Sequence, residues 1–205
     1  MMILNVLPWV LLLGAIAVII IKGNQHSKMR EQMRARFLEE ENEANMVRKK
    51  EIEPELYFTA DLSALPPIPE SDPYQVERCA KRIMIRFAEP ITNLELKKQY
   101  GLQQMDIIAQ YEENFNEYLK ALTKWAVSIS NENRNDAIKI LETVIYLGSE
   151  LRDSYKLSAD IYAENRNTEK LSELLARAEE NHFKDPSIRE QVLDYINMKK
   201  VDASL

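Results

Sequence analysis

The tetrad ENRN stands at residues 132–135 and again at 164–167, each time after one apolar-periodic stretch and before another. An internal repeat restricts a fold tightly, because each copy must adopt the same local structure and pack on its neighbour. A shift of 32 lays Leu119 on Leu151, Trp125 on Leu157 and Ile129 on Ile161. Past the tetrad a shift of 34 does better, laying Ala137 on Leu171, Leu141 on Leu175 and Val144 on Ala178. Apolar residues recur at three- and four-residue spacing in each arm, which is the period of an α-helix. The unit is therefore helix, polar turn, helix, and the change from 32 to 34 predicts a slightly longer turn in the second copy. The tetrads are expected in the turns themselves, where Asn tolerates left-handed backbone.

In period and layout this unit resembles the tetratricopeptide repeat, over about residues 115–183. Tyr155, Ala159, Tyr162, Leu171, Leu175 and Ala178 stand where that repeat tends to have aromatic, small, aromatic, small, large and small residues. There are departures: Trp125 fills a small position of the first copy, Leu171 replaces an alanine, and Asn-rich turns replace glycine. The resemblance implies antiparallel hairpins at about 115–149 and 150–183, stacked so that the first helix of each lines a peptide-holding groove. Ala121, Lys124, Ser128 and Asn131 would then face the groove from the first hairpin. Asp153, Lys156, Asp160 and Ala163 would face it from the second. Lys124 and Lys156 occupy equivalent places, 32 residues apart, and could pair with a carboxylate on a partner.

The rest of the 73–200 region reads as helical too. Asp72 and Pro73 form a start signal, and Val76, Cys79, Ala80, Ile83, Met84 and Phe87 mark one face of a predicted helix 73–89, which must stop ahead of Pro90. Thr92 and Glu95 have capping-box spacing and open a short helix to Tyr100, with Gly101 placed to end it. A long helix follows, carrying Met105, Ile108, Tyr111, Phe115, Tyr118, Leu122 and Ala126 on its stripe. Asp185 and Pro186 begin a capping helix, 186–199, with Ile188, Val192, Leu193 and Ile196 on one side. The helices at 73–89 and 92–100 are expected to cover the first hairpin. Four glycines and eight prolines in 205 residues, with much Leu, Ala, Glu and Lys, agree with an all-α fold class.

Upstream, residues 3–21 run for 19 residues without a charge, long enough for a helix to span a bilayer. No Lys or Arg precedes the run and no A-x-A site follows it, so a transmembrane helix is preferred to a signal peptide. Lys22, Lys28, Arg30, Arg34 and Arg36 follow, with Glu31 the one acid among them, which predicts a single-pass cell-membrane protein with its C-terminal domain cytoplasmic. Residues 22–50 read as a charged juxtamembrane helix with a thin stripe of Met29, Met33, Phe37, Ala44 and Val47. It is solvated on most sides, and its basic first half could rest on anionic headgroups. Residues 51–72 form a Pro-rich linker, with Pro54, Pro66, Pro67 and Pro69 inside it and Pro73 just beyond. Polyproline II spacing puts Leu62, Leu65 and Ile68 on one edge, which suggests that the linker docks on the helical domain, where its groove is one place for it.

No catalytic constellation is present in the sequence. His26 and His182 have no partner at metal-ligand spacing, no Gly-rich phosphate loop or G-x-S-x-G occurs, and Cys79 lies within an apolar stripe. The expectation is a non-enzyme without cofactor or metal. It would be a membrane-anchored interaction or scaffold module whose partners are the bilayer, through 3–21, and a cytosolic protein or peptide, with self-association admitted. A second class is a membrane-tethered nucleic-acid-binding regulator, because residues 92–110 loosely resemble a helix-turn-helix. Against it, residues 51–205 hold 19 Lys and Arg against 28 Asp and Glu, a balance of −9. A third is a structural subunit whose groove is filled by its own chain.

Overall fold

The computed structural model describes residues 7–87 and 89–204; within 7–26 it describes the side chain of Lys22 only. Among the described residues there are eight α-helices: α1 (Leu7–Asn45), α2 (Val76–Ala80), α3 (Asn93–Tyr100), α4 (Met105–Ile129), α5 (Arg134–Tyr146), α6 (Arg152–Glu164), α7 (Thr168–Glu180) and α8 (Pro186–Ser204). Two short strands, β1 (Tyr57–Phe58) and β2 (Met84–Ile85), and two 3-10 turns, Pro54–Leu56 and Leu102–Gln104, complete the elements. The chain divides into two compact units, Met1–Lys50 with Thr92–Gln104, and Glu51–Ile91 with Met105–Leu205. The helical fold class is as expected. Among the described residues no helix is long and apolar enough to cross a membrane. The expected span, 3–21, lies outside the described residues at its start and outside the described side chains throughout.

In the first unit α3 packs on the C-terminal end of α1. Thr92 and Glu95 form the reciprocal capping box, the Thr92 hydroxyl accepting from the Glu95 N–H and the Glu95 carboxylate accepting from the Thr92 N–H. Ala44, Leu96 and Tyr100 are buried where the helices meet. Lys97 and Lys98 reach Glu41 and Glu40 of α1 at 2.8 and 3.2 Å. Gly101 is required by two facts. Its φ is +83°, and a Cβ there would lie 3.0 Å from the Val47 carbonyl oxygen and 3.1 Å from that of Arg48. Lys50 donates its N–H to the Tyr100 carbonyl and accepts at its own carbonyl from the Gln104 side chain, so residues after α1 are pinned beside the end of α3.

In the second unit the segment expected as helix 73–89 is different. Only Val76–Ala80 is helical, and Met84–Ile85 pairs antiparallel with Tyr57–Phe58. The physical reason is that Met84 and Ile85 are both fully buried, which adjacent residues achieve more readily on a ribbon enclosed on both faces than on one helix face. The paired strand also satisfies backbone groups of the Tyr57–Phe58 ribbon, a long-range benefit invisible to periodicity. The helix starts later than expected, with Gln75 and not Asp72 at the cap position and Pro73 ahead of it, but the Asp72 carboxylate still reaches the first turn, accepting from the N–H groups of Val76 and Glu77 at 2.8 and 3.0 Å. Phe58 meets Phe115 edge-on with centroids 5.7 Å apart, and Leu62, Leu65 and Ile68 pack on the cluster built by α4 and α5.

The two hairpins are α4 with α5 and α6 with α7, and α8 packs on α6 and α7. One cluster gathers Tyr118, Leu122, Trp125, Ile140, Leu141 and Val144; the other gathers Tyr155, Ala159, Leu171, Ala178, Val192 and Ile196. Ile138 of α5 packs against both, joining one hairpin's core to the next.

The repeated tetrads lie at the hairpin turns but in different registers. In the first copy Asn133 caps α5, its side chain accepting from the Asp136 N–H at 3.2 Å. In the second the capping residue is Asn167, accepting from the Lys170 N–H at 3.0 Å. The caps are 34 residues apart, the shift found past the tetrads. The second turn is not longer, as expected, but shorter: three residues, 165–167, separate α6 from α7 against four, 130–133, between α4 and α5. The extra length is absorbed by α6, which runs through Glu164 and ends with the Asn167 N–H on the Tyr162 carbonyl and the Arg166 N–H on the Ala163 carbonyl. The left-handed residue of that turn is Arg166, at φ 51°, and not an asparagine as expected. The Asn residues act instead as helix caps, since a capping side chain satisfies an N–H that would otherwise be orphaned.

Candidate interaction surface

The sequence-derived groove residues fall into two settings. Of those in the second hairpin, Lys156 and Asp160 meet α8. Asp160 accepts from the Tyr195 hydroxyl at 2.8 Å and pairs with Lys199 at 2.7 Å. Lys156 stands 4.7 Å above the centre of the Tyr195 ring, on the side chain's electron-rich face. Ala163 packs into the second cluster, and Asp153 is exposed at the start of α6 beside Arg152, which bonds Gln191 of α8 at 3.1 Å. Burial, and then the Asp160 carboxylate, push the Tyr195 hydroxyl up, while its hydrogen bond to Asp160 holds the Lys199 ammonium above its ordinary value. Lys156 and Asp160 are thus engaged within the chain, and the two lysines 32 apart have different surroundings.

The first-hairpin residues divide further. Ser128 and Asn131 are exposed near the end of α4, the Ser128 hydroxyl donating to the Trp125 carbonyl. Ala121 and Lys124 line a cleft between α4 and the Pro73–Arg82 segment. Arg78 and Arg82 enter it from that segment and Lys120 from α4. Arg82 pairs with Glu117, and Lys120 with Glu113 at 3.4 Å. Among the described residues, Arg78 and Lys124 are the cations of this cleft that have no ion pair. Cys79 lies at its base, buried, and burial pushes the thiol up from its ordinary range, as suits a protonated core residue.

Arg78, Arg82 and Lys120 were not legible as a site, because nothing local says that 73–82 lies against α4. A partial signal does exist on α4. Glu113, Glu117, Lys120 and Lys124 follow one another at spacings of 4, 3 and 4, which puts them on one face. A second concavity, between α5 and α7, is lined by Glu142, Tyr146, Tyr162, Lys170 and Arg177. The Tyr162 hydroxyl donates to Glu142 at 2.7 Å, and Lys170 bridges Glu142 and Glu173 at 3.6 and 2.9 Å. Arg177 has no ion pair among the described residues and lies over the Tyr146 ring, 5.8 Å from its centre. The cleft at α4 gathers two cations without an ion pair, Arg78 and Lys124, beside Arg82 and Lys120.

In the 92–110 segment, Lys97 and Lys98 are taken up by the α1 carboxylates, and Asp106, Glu112 and Glu113 add negative charge to α4. No protein family, no curated protein and no solved structure matches the chain.

Proposed function

We propose that this protein is a single-pass, membrane-anchored, non-catalytic interaction module that presents its helical hairpins to the cytosol and recruits a protein through an acidic segment. The hairpins are read as a short, divergent tetratricopeptide array. α8 closes the face of the second hairpin in cis, and the cleft between α4 and Pro73–Arg82 serves as the docking place at the first. The observation that carries this reading is the pair Arg78 and Lys124, set beside Arg82 and Lys120 in a region whose balance is −9. A concentration of positive charge on an acidic background favours carboxylates and disfavours most of the chain's own surface. The anchor and its orientation are supported by the uncharged run 3–21 and by the cations from Lys22 to Arg36.

The test is photo-cross-linking of the full chain in native membranes, followed by affinity capture, with Arg78→Glu and Lys124→Glu combined in the variant. Both side chains are exposed, so the variant's urea midpoint should stay close to the parent's. The expected result is loss of the captured protein at unchanged stability. Undiminished capture by the variant rejects the cleft as the docking place.

A further inference from the structure

The juxtamembrane part of α1 has an exposed apolar stripe with a definite charge pattern around it. Met29, Met33 and Phe37 are 50%, 57% and 55% exposed. At about 100° per residue they span roughly 80° of the helix surface. Arg36 flanks the stripe on one side and Arg30 and Arg34 on the other, and Lys22 lies in line with it at the end nearer the 3–21 run. All four are exposed. Glu31, the one acid between residues 22 and 38, lies about 160° from the middle of the stripe, with Lys28 and the exposed Leu38 about 140° from it on the same far side.

The same face of α1 changes charge further along, and there the chain supplies its own partner. Glu40, Glu41 and Ala44 continue the line of Met29, Met33 and Phe37, and basic α3 docks on them, burying Ala44 and pairing Lys97 and Lys98 with the two acids. Acidic helix end meets basic helix. Upstream, among the described residues, nothing in its unit covers Met29, Met33 or Phe37.

We infer that residues 22–38 seat this face on an anionic lipid surface, with Met29, Met33 and Phe37 entering the headgroup boundary and Lys22, Arg34 and Arg36 meeting lipid phosphates and carboxylates. A cation-flanked apolar stripe with its acid on the far side is the pattern of a helix lying in a membrane interface. A second copy is the poorer occupant. Two parallel chains in one membrane would set cations against cations across the stripe, and a spacing of 4 and 4 lacks the alternation a coiled coil needs. The stripe begins about 12 Å beyond Ile21 along the helix axis, so seating it requires α1 to bend. Gly23, the poorest helix former between the two segments, is where the bend is placed.

This assignment rests on the membrane-tether reading, and the two can be told apart. The full chain carrying Cys79→Ala receives one new cysteine, Met33→Cys on the stripe or Glu31→Cys opposite it, and an environment-sensitive dye. Each is reconstituted in vesicles of phosphatidylcholine alone and in vesicles with roughly a third phosphatidylserine. The expected result is a blue shift and quenching by nitroxide-labelled lipid at position 33 in the anionic vesicles only, with position 31 unchanged. Arg34→Gln with Arg36→Gln should abolish the shift. A dye at 33 that stays water-exposed on anionic vesicles overturns the assignment. Equal protection at 33 in both compositions overturns it too, in favour of a protein occupant. Alkaline extraction reports separately on the tether: a chain that washes off both kinds of vesicle overturns the anchor, while an anionic-lipid-dependent shift at 33 would still uphold this face.

Discussion

The Arg134 guanidinium pairs with the Glu164 carboxylate, joining the first residue of α5 to the last residue of α6 and one ENRN tetrad to the other. Each charge sits at the unfavourable end of its helix, a cation at an N-terminus and an anion at a C-terminus, so the pair offsets two dipole penalties at once. Yet the two side chains are 49% and 52% exposed, and water screens what they gain.

The tetrads therefore make a prediction about identical letters in unlike roles. Replacing Arg134 or Glu164 by Ala should change stability by no more than about 0.5–1 kcal/mol. Asn133→Ala and Asn167→Ala each remove a cap and should cost about 1 kcal/mol. Asn135→Ala, which leaves both caps in place, should be close to neutral. Urea titration of the full chain separates these outcomes, and equal costs at Asn133 and Asn135 would show that the caps are misassigned.

Positive φ at Arg166 and at Gly148 predicts opposite responses. Arg166→Gly relieves a left-handed L-residue and should raise stability by about 0.5–1 kcal/mol. Gly148, at φ 75°, ends α5 with its own N–H on Ile145 and the Ser149 N–H on Val144. Gly148→Ala should cost about 1 kcal/mol. A Cβ there would also meet the end of the Arg86 side chain. That end can move, so adding Arg86→Ala should recover only a small part of the loss.

Two buried tyrosines predict alkaline instability. Burial pushes the hydroxyls of Tyr118 and Tyr155 up to about 12, from an ordinary 10. Between those values the unfolded chain loses protons that the folded chain keeps, so stability is full below pH about 10 and falls as pH rises towards 12. Urea midpoints measured across that range should drop, with tyrosinate absorbance rising in step with unfolding. In Tyr155→Phe the drop should be shallower. The Ser149 carbonyl would keep its bond from Asn181, 2.8 Å away, so the cost at neutral pH should stay near 1 kcal/mol.

The docked linker gives an optical readout. Trp125 is buried in the cluster on which Leu62, Leu65 and Ile68 pack, and its indole N–H has no hydrogen-bond partner among the described residues. In a Trp9→Phe chain the emission should thus be that of an indole in an apolar site. Changing Leu62, Leu65 and Ile68 together to Ser should shift that emission to the red, raise binding of a hydrophobic dye, and cost about 1–2 kcal/mol for each half-buried side chain. Unchanged emission and dye binding would show that the 60–70 segment is only a tether.

What the sequence determined by itself is local. The Thr92–Glu95 box, the stop at Gly101 and the places of the hairpin turns all depend on residues within about one or two helical turns of each other, where side chain and backbone choose a structure together. Tertiary structure decided the places where two local answers were equally good. Val76, Cys79, Ala80 and Met84 fit a helix face, but the partner at Tyr57–Phe58 drew Met84–Ile85 into a ribbon buried on both sides. Lys124 and Lys156 are equivalent in the repeat and differ in the fold, because α8 lays Tyr195 and Lys199 over one hairpin while Arg78 and Arg82 approach the other. A periodic pattern states which face of a helix seeks burial. Only the packing of distant segments decides what covers it.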